Sequence, residues 1–156
     1  MKKINWKVLI TSLAIVYALA FMGSIFTSAS VNSEWYDSIK PSITPPSFVF
    51  PIVWNLLFFL IALSIYFAWT SAKNKDTKKK IIILFGINLF LNTIWSYLFF
   101  TLRDTQGAFI NLILIWVSII SLFALTKKIN VKSAYLLIPY FIWVTFAGIL
   151  NAIIAF

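Results

Sequence analysis

Residues 73–80 read KNKDTKKK, and the runs on either side of them, 41–72 and 81–102, contain no charged residue at all. A soluble fold does not separate charge from apolar surface on that scale, but a bilayer does. Crossing a hydrocarbon core of about 30 Å takes about 20 helical residues at about 1.5 Å each. Reading outward from 73–80, the charged positions leave three more uncharged runs, 8–33, 105–126 and 133–156, so five stretches are long enough to span. The gaps between them alternate in sign. The first (Lys2, Lys3, Lys7), the third (Lys73, Lys75, Lys78, Lys79, Lys80) and the fifth (Lys127, Lys128, Lys132) are basic, while the second carries Glu34, Asp37 and Lys40 and the fourth Arg103 and Asp104. Eleven of the thirteen basic residues therefore fall on one side of the membrane. By the positive-inside rule the N-terminus is cytoplasmic and the C-terminus outside, in the cell membrane if the source is a bacterium.

The expected architecture is all-α: one domain over residues 1–156, a bundle of five transmembrane helices near 6–26, 47–70, 80–101, 106–126 and 132–154. A hydrophobic fraction of 62% with only 11% charged residues supports this class over a soluble one. The lysines sit where topology needs them, so the net charge of +9 does not point to nucleic acid. The first span also fits a secretory signal, with Thr27-Ser28-Ala29 as a small-residue cleavage site. Its apolar run, 8–26, exceeds the usual signal core of about 7–15 residues, and an uncleaved helix is expected. Short connections predict antiparallel packing of most consecutive spans. The exception is the first outer loop, 27–46, which carries Trp35-Tyr36 and the proline-rich KPSITPP. A loop of this length and stiffness reads as a lid, with Ser47 capping the second span and Pro51 in its first turn.

The residues that are missing narrow the chemistry. With no Cys and no His, thiol nucleophiles, zinc sites, histidine bases and the common haem ligands are excluded, and no cofactor is required. All four carboxylates lie in loops, which argues against an ion-coupled pump. Any site in the bundle must use aromatic faces, amides, hydroxyls and backbone.

Such groups recur at helical spacing. The third span sets Asn88, Asn92, Trp95, Ser96 and Phe99 on one face, the fifth sets Pro139, Trp143, Ala147, Leu150 and Asn151, and the second offers Trp54 and Phe58. Amides facing lipid would be unsatisfied, so the asparagines point inward, either as interhelical glue or as part of a site. Trp6 and Trp69 fit an interfacial belt; Trp143, near mid-membrane, does not, and its N–H needs a partner.

Three segments then carry a resemblance. Lys40-Pro41-Ser42-Ile43-Thr44-Pro45-Pro46 with Phe48 through Trp54 resembles the KPxxxPP–W segment of the TspO/MBR family, the tryptophan-rich sensory and translocator (peripheral benzodiazepine receptor) proteins. Asn92-Thr93-Ile94-Trp95-Ser96 with Phe99-Phe100 resembles its N-x-x-W-S-x-x-F-F, and Leu137-Ile138-Pro139-Tyr140 through Trp143, Phe146-Ala147 and Leu150-Asn151 its P-Y-x-x-W-x-x-F-A-x-x-L-N. The resemblance covers essentially the whole chain. It implies a homodimer of five-helix bundles, each with a pocket for porphyrins such as protoporphyrin IX or for isoquinoline and benzodiazepine ligands, and a role in tetrapyrrole or stress regulation.

The pocket it implies comprises Ser24; Tyr36 and Pro45 of the lid; Phe50, Trp54 and Phe58; Asn92, Trp95 and Leu98; and Trp143, Ala147 and Leu150, with Asn111 or Ile115 as a smaller contribution of the fourth span. Tryptophan faces would form planar walls, and Asn92 and the indole N–H groups the polar anchors. The sequence departs from the family at Ile43, where many members have an aromatic. No basic residue follows Lys132, so the sterol consensus of animal members is absent and sterol binding is not carried over. Two other functions stay open: light-dependent porphyrin degradation, with Trp54 and Trp143 as the oxidisable catalytic neighbours, and passive carriage of hydrophobic anions.

Overall fold

A computed structural model describes residues 4–156; Lys2 and Lys3 of the first basic gap lie outside the described residues. Seven helices follow one another: α1 (Trp6–Ser28), α2 (Glu34–Ile39), α3 (Val49–Ser71), α4 (Lys75–Ser96, prolonged by a wider turn at Tyr97–Thr101), α5 (Thr105–Ile129), α6 (Val131–Tyr135) and α7 (Ile138–Ala155). Five units are long and apolar enough to cross a membrane, α6 and α7 counting together as Val131–Ala155. No strand occurs among the described residues.

Side-chain caps start five of these helices, among them α6, where Asn130 accepts from the Lys132 N–H (3.0 Å). Asn5 accepts from the Val8 N–H (3.2 Å), Ser33 from Tyr36 (3.3 Å), Asn74 from Thr77 (2.7 Å) and Asp104 from Gly107 (2.8 Å), each satisfying an N–H that the first turn leaves free. The Asn74 cap corrects the expected start of the third span from 80 to Lys75. Lysines at a helix end stay hydrated, so charge marks the membrane edge and not the helix edge. The second span starts at Val49 rather than 47, and Ser47 does not cap it. The N-cap position is Phe48, which has no side-chain bond, and Pro51 sits in the first turn as expected.

The fifth span starts at Val131 rather than 132 and is broken. Pro139 has no N–H to give to Tyr135, and its ring crowds that carbonyl, so the helix stops at Tyr135 and restarts at Ile138. The first outer loop is not featureless, since α2 fills part of it.

Packing closes the five spans into a ring. α1 lies against α3 and α4, α4 against α5, α5 against α7 and α6, and α6 against α3. Consecutive spans are thus neighbours except α3 and α4, which touch only slightly. Hydrogen bonds pin each seam. Ser64 and Ser133 exchange bonds between α3 and α6 (Ser64 Oγ to Ser133 O 2.9 Å, Ser133 Oγ to Ser64 O 2.7 Å), and the Tyr17 hydroxyl donates to Asn55 Oδ1 between α1 and α3 (2.9 Å). Asn88 donates to Ser118 between α4 and α5 (2.8 Å), which makes it interhelical glue.

The outside is as apolar as the inside. Ile10, Phe21, Ile52, Phe90, Ile110 and Ile142 are each at least 60% exposed, the pattern of a surface solvated by lipid.

Candidate functional site

At the end of the bundle away from the basic connections, α3 and α7 barely touch, while α6 holds α3 firmly at the other end. The gap between α3 and α7 is a cavity of about 500 Å³, bounded also by α1, α4 and the first loop, with Leu112 and Ile115 of α5 reaching it. That volume falls in the range of small-molecule sites. No charged residue among the described residues lines it.

Its walls are aromatic planes. Trp54 and Phe58, one turn apart on α3, stack at 5.3 Å and 27°. Phe50 meets Trp143 of α7 edge to face at 5.8 Å. On α4, Trp95 stacks on Phe99 at 5.0 Å and 19°. Ser24, Tyr36, Asn92, Ala147 and Leu150 join these as lining residues.

Two residues of the expected pocket do not line the cavity. Leu98 packs instead on the cluster of Phe99, Phe100 and Ala108. The wider turn of Tyr97–Thr101, closed by the Leu102 N–H to the Tyr97 carbonyl (3.0 Å), changes the angular step along α4 and brings the consecutive Phe99 and Phe100 to the cavity. Pro45 lines a separate recess of about 80 Å³ under the loop. Of the α5 candidates, Ile115 lines the cavity and Asn111 does not; the Asn111 amide donates to the Leu91 carbonyl (2.9 Å).

Most polar groups of the wall are already engaged. The Trp95 N–H donates to Asn151 Oδ1 (3.0 Å), so it is not a free anchor, and Asn151 donates onward to the Thr105 carbonyl (2.8 Å). Asn92 donates to the Tyr140 hydroxyl (3.0 Å), which donates to Asn88 Oδ1 (3.2 Å). Tyr140 is fully buried beneath Trp54, 6.2 Å from ring to ring. Trp143 differs: its Nε1 is buried and meets no acceptor among the described residues. A buried, unpaired N–H is costly, and a ligand acceptor or a water arriving there would remove the cost.

The loop forms a cap. Trp35 and Tyr36 of α2 rest edge-on against Phe99 and Phe100, with ring centroids 5.7–6.3 Å apart. The Arg103 guanidinium covers the outer face of Trp35 at 5.0 Å. Arg103 itself adopts φ 55°, the left-handed conformation that ends α4 and lets Asp104 start α5 at once. Burial pushes the Tyr36 phenol above its ordinary pKa; nearby Lys40 opposes that shift and Asp37 adds to it. Lys40 is itself raised, chiefly by its hydrogen bond to Asp37.

Tyr140 and Phe100, named above only within the family segments, and Arg103 were not among the expected pocket residues. Tyr140 was legible as the start of an i, i+7, i+11 line with Ala147 and Asn151. Phe100 follows from the wider turn, which no periodicity announces.

The profile of the TspO/MBR family matches residues 12–156. The chain is 36% identical over 144 residues to the tryptophan-rich protein TspO of Archaeoglobus fulgidus, covering 92% of both chains. It is 28% identical to the tryptophan-rich sensory protein of Cereibacter sphaeroides (94% of this chain, 89% of the other) and 28% identical to the bovine translocator protein (84% and 78%).

Proposed function

The chain belongs to the TspO/MBR family of multi-pass membrane sensory and translocator proteins, and from that premise we propose that it is a receptor for flat, largely apolar ligands of the porphyrin class. Isoquinoline- and benzodiazepine-type molecules would occupy the same site, and the output would be regulation of tetrapyrrole or stress responses. One observation carries the reading: a cavity is walled by the planes of Trp54, Phe58, Trp95 and Trp143, and the Trp143 indole N–H is buried without a partner among the described residues. Planar apolar walls suit a macrocycle, and a lone directional donor fixes its orientation. The proposal includes an N-terminus in the cytoplasm, a C-terminus outside and a homodimer in the bilayer.

Titrating the purified protein with protoporphyrin IX while following tryptophan fluorescence tests the reading. Saturable quenching with one site per chain is expected, displaced by an isoquinoline carboxamide. Linear, non-saturating quenching would sink the proposal.

The second reading, photodegradation, is favoured by the same unpaired indole, since Trp143 would contact an excited macrocycle directly. Illumination of the complex separates the two: loss of the macrocycle absorption that depends on Trp54 and Trp143 indicates chemistry, and its absence indicates binding alone. Uptake of an anionic porphyrin into proteoliposomes would identify a carrier.

A further inference from the structure

Beside the main cavity lies the smaller recess of about 80 Å³, and the two share Val31, Asn32, Tyr36, Ser47 and Phe50. They are therefore contiguous compartments with different chemistry. Among the described residues the main cavity has no charged lining residue, and its Ser24, Thr27 and Ser28 hydroxyls donate to carbonyls of their own helix. The recess is lined by Lys40, by Asp37 and by Thr44, whose Oγ1 is buried without a hydrogen-bond partner among the described residues. Among the described residues, Lys40 is the only cation lining either compartment.

We infer that the recess is an acid subsite, in which Lys40 and Thr44 hold a carboxylate arm of a macrocycle whose ring lies in the main cavity. The inference rests on the porphyrin-type reading above and adds a requirement to it: the ligand is amphiphilic and enters ring first, with an acid group left at the loop. A carboxylate cannot be carried into the apolar cavity without losing its hydration. At the loop it keeps contact with water and gains an ammonium and a hydroxyl donor. Lys40 already donates to Asp37, but that exposed pair is weakly held. An ammonium has three donors, so a second carboxylate can share it. The Asp37 charge limits the recess to one acid and makes Lys40 necessary for it. Thr44 supplies the short-range donor, which has no partner among the described residues.

The test compares protoporphyrin IX with its dimethyl ester, which keeps the ring and loses the charge, by fluorescence titration in one neutral detergent. The intact protein is expected to bind the free acid about tenfold more tightly than the diester. Lys40→Met should remove that preference by weakening the acid alone, Lys40→Arg should restore most of it, and Thr44→Val should reduce it by about threefold. Lys128→Gln, which removes a cation remote from both compartments, should leave the acid-to-ester ratio unchanged. Equal affinity of the intact protein for acid and diester overturns the subsite and leaves the porphyrin reading standing. So does a Lys40→Met loss that is the same for both ligands, or a ratio that follows Lys128 as strongly as Lys40. Failure of both macrocycles to bind the intact protein overturns the porphyrin reading, and the subsite with it.

Discussion

Trp143 and Tyr140 lie three residues apart on α7 and are partnered in opposite ways. The Trp143 N–H has no acceptor among the described residues, whereas the Tyr140 hydroxyl is bonded on both sides, to Asn92 and Asn88. Substitution should separate the two roles. Trp143→Phe keeps most of the buried ring area and removes the donor, so the fold should survive while porphyrin affinity falls by about 1–2 kcal/mol. Trp116→Phe is the control: its N–H is held by Thr145 Oγ1 (2.9 Å), away from the cavity, and affinity should stay unchanged. Equal losses in the two variants, read by fluorescence titration, would mean that the tryptophans matter only for packing. Tyr140→Phe should do the reverse. It strands the fully buried Asn88 oxygen and the Asn92 amide, so stability in detergent should fall by about 1–2 kcal/mol, measured as a lower unfolding midpoint. An unchanged midpoint would show that water or another group replaces the hydroxyl without cost.

Among the elements, α2 and the proline segment behind it form the cap on the cavity. Trp35 and Tyr36 hold it to Phe99 and Phe100, and Pro45 and Pro46 limit the conformations of the chain between α2 and α3. Pro45→Ala or Pro46→Ala should widen the open ensemble, and ligand dissociation should speed up more than association changes. Stopped-flow dissociation rates equal to the parent's would reduce the loop to a connector. The elements also show where sequence reading reached its limit. Five spans, their order and the long first loop were legible because removing charge from lipid is a large effect that leaves plain gaps. The start of α4 was not, because lysines at 75–80 are excluded from lipid but not from a helix capped by Asn74. Ten of the twelve residues implied by the family resemblance line the cavity, and seven of them (Trp54, Phe58, Asn92, Trp95, Trp143, Ala147 and Leu150) also stood out by helical spacing along α3, α4 and α7. Leu98 fails for the local reason that the turn at Tyr97–Thr101 is wider than an α turn, a consequence of tertiary packing that no spacing rule encodes.

Across the whole molecule, the two ends of the ring have different jobs. At one end the Asn5 N–H donates to the Tyr66 hydroxyl (3.2 Å) and the Asn130 amide donates to Ser71 Oγ (2.8 Å), so the α1 start, the α3 end and the α5–α6 junction are drawn together. Lys7, the 73–80 run and Lys127, Lys128 and Lys132 flank these same joints. The bundle is thus tight where it is basic and open where the loop caps it, and in the proposed orientation the tight end faces the cytoplasm and the cavity the outside. Because the chain has no cysteine, single substitutions report orientation without background. A membrane-impermeant thiol reagent added to intact cells should label Asp37→Cys, whereas Asp76→Cys and Lys128→Cys should react only after permeabilisation. Labelling of Asp76→Cys in sealed cells, with Asp37→Cys protected, would invert the protein in the bilayer. The cavity would then draw its ligand from the cytoplasm, and the acid arm at Lys40 would face that side.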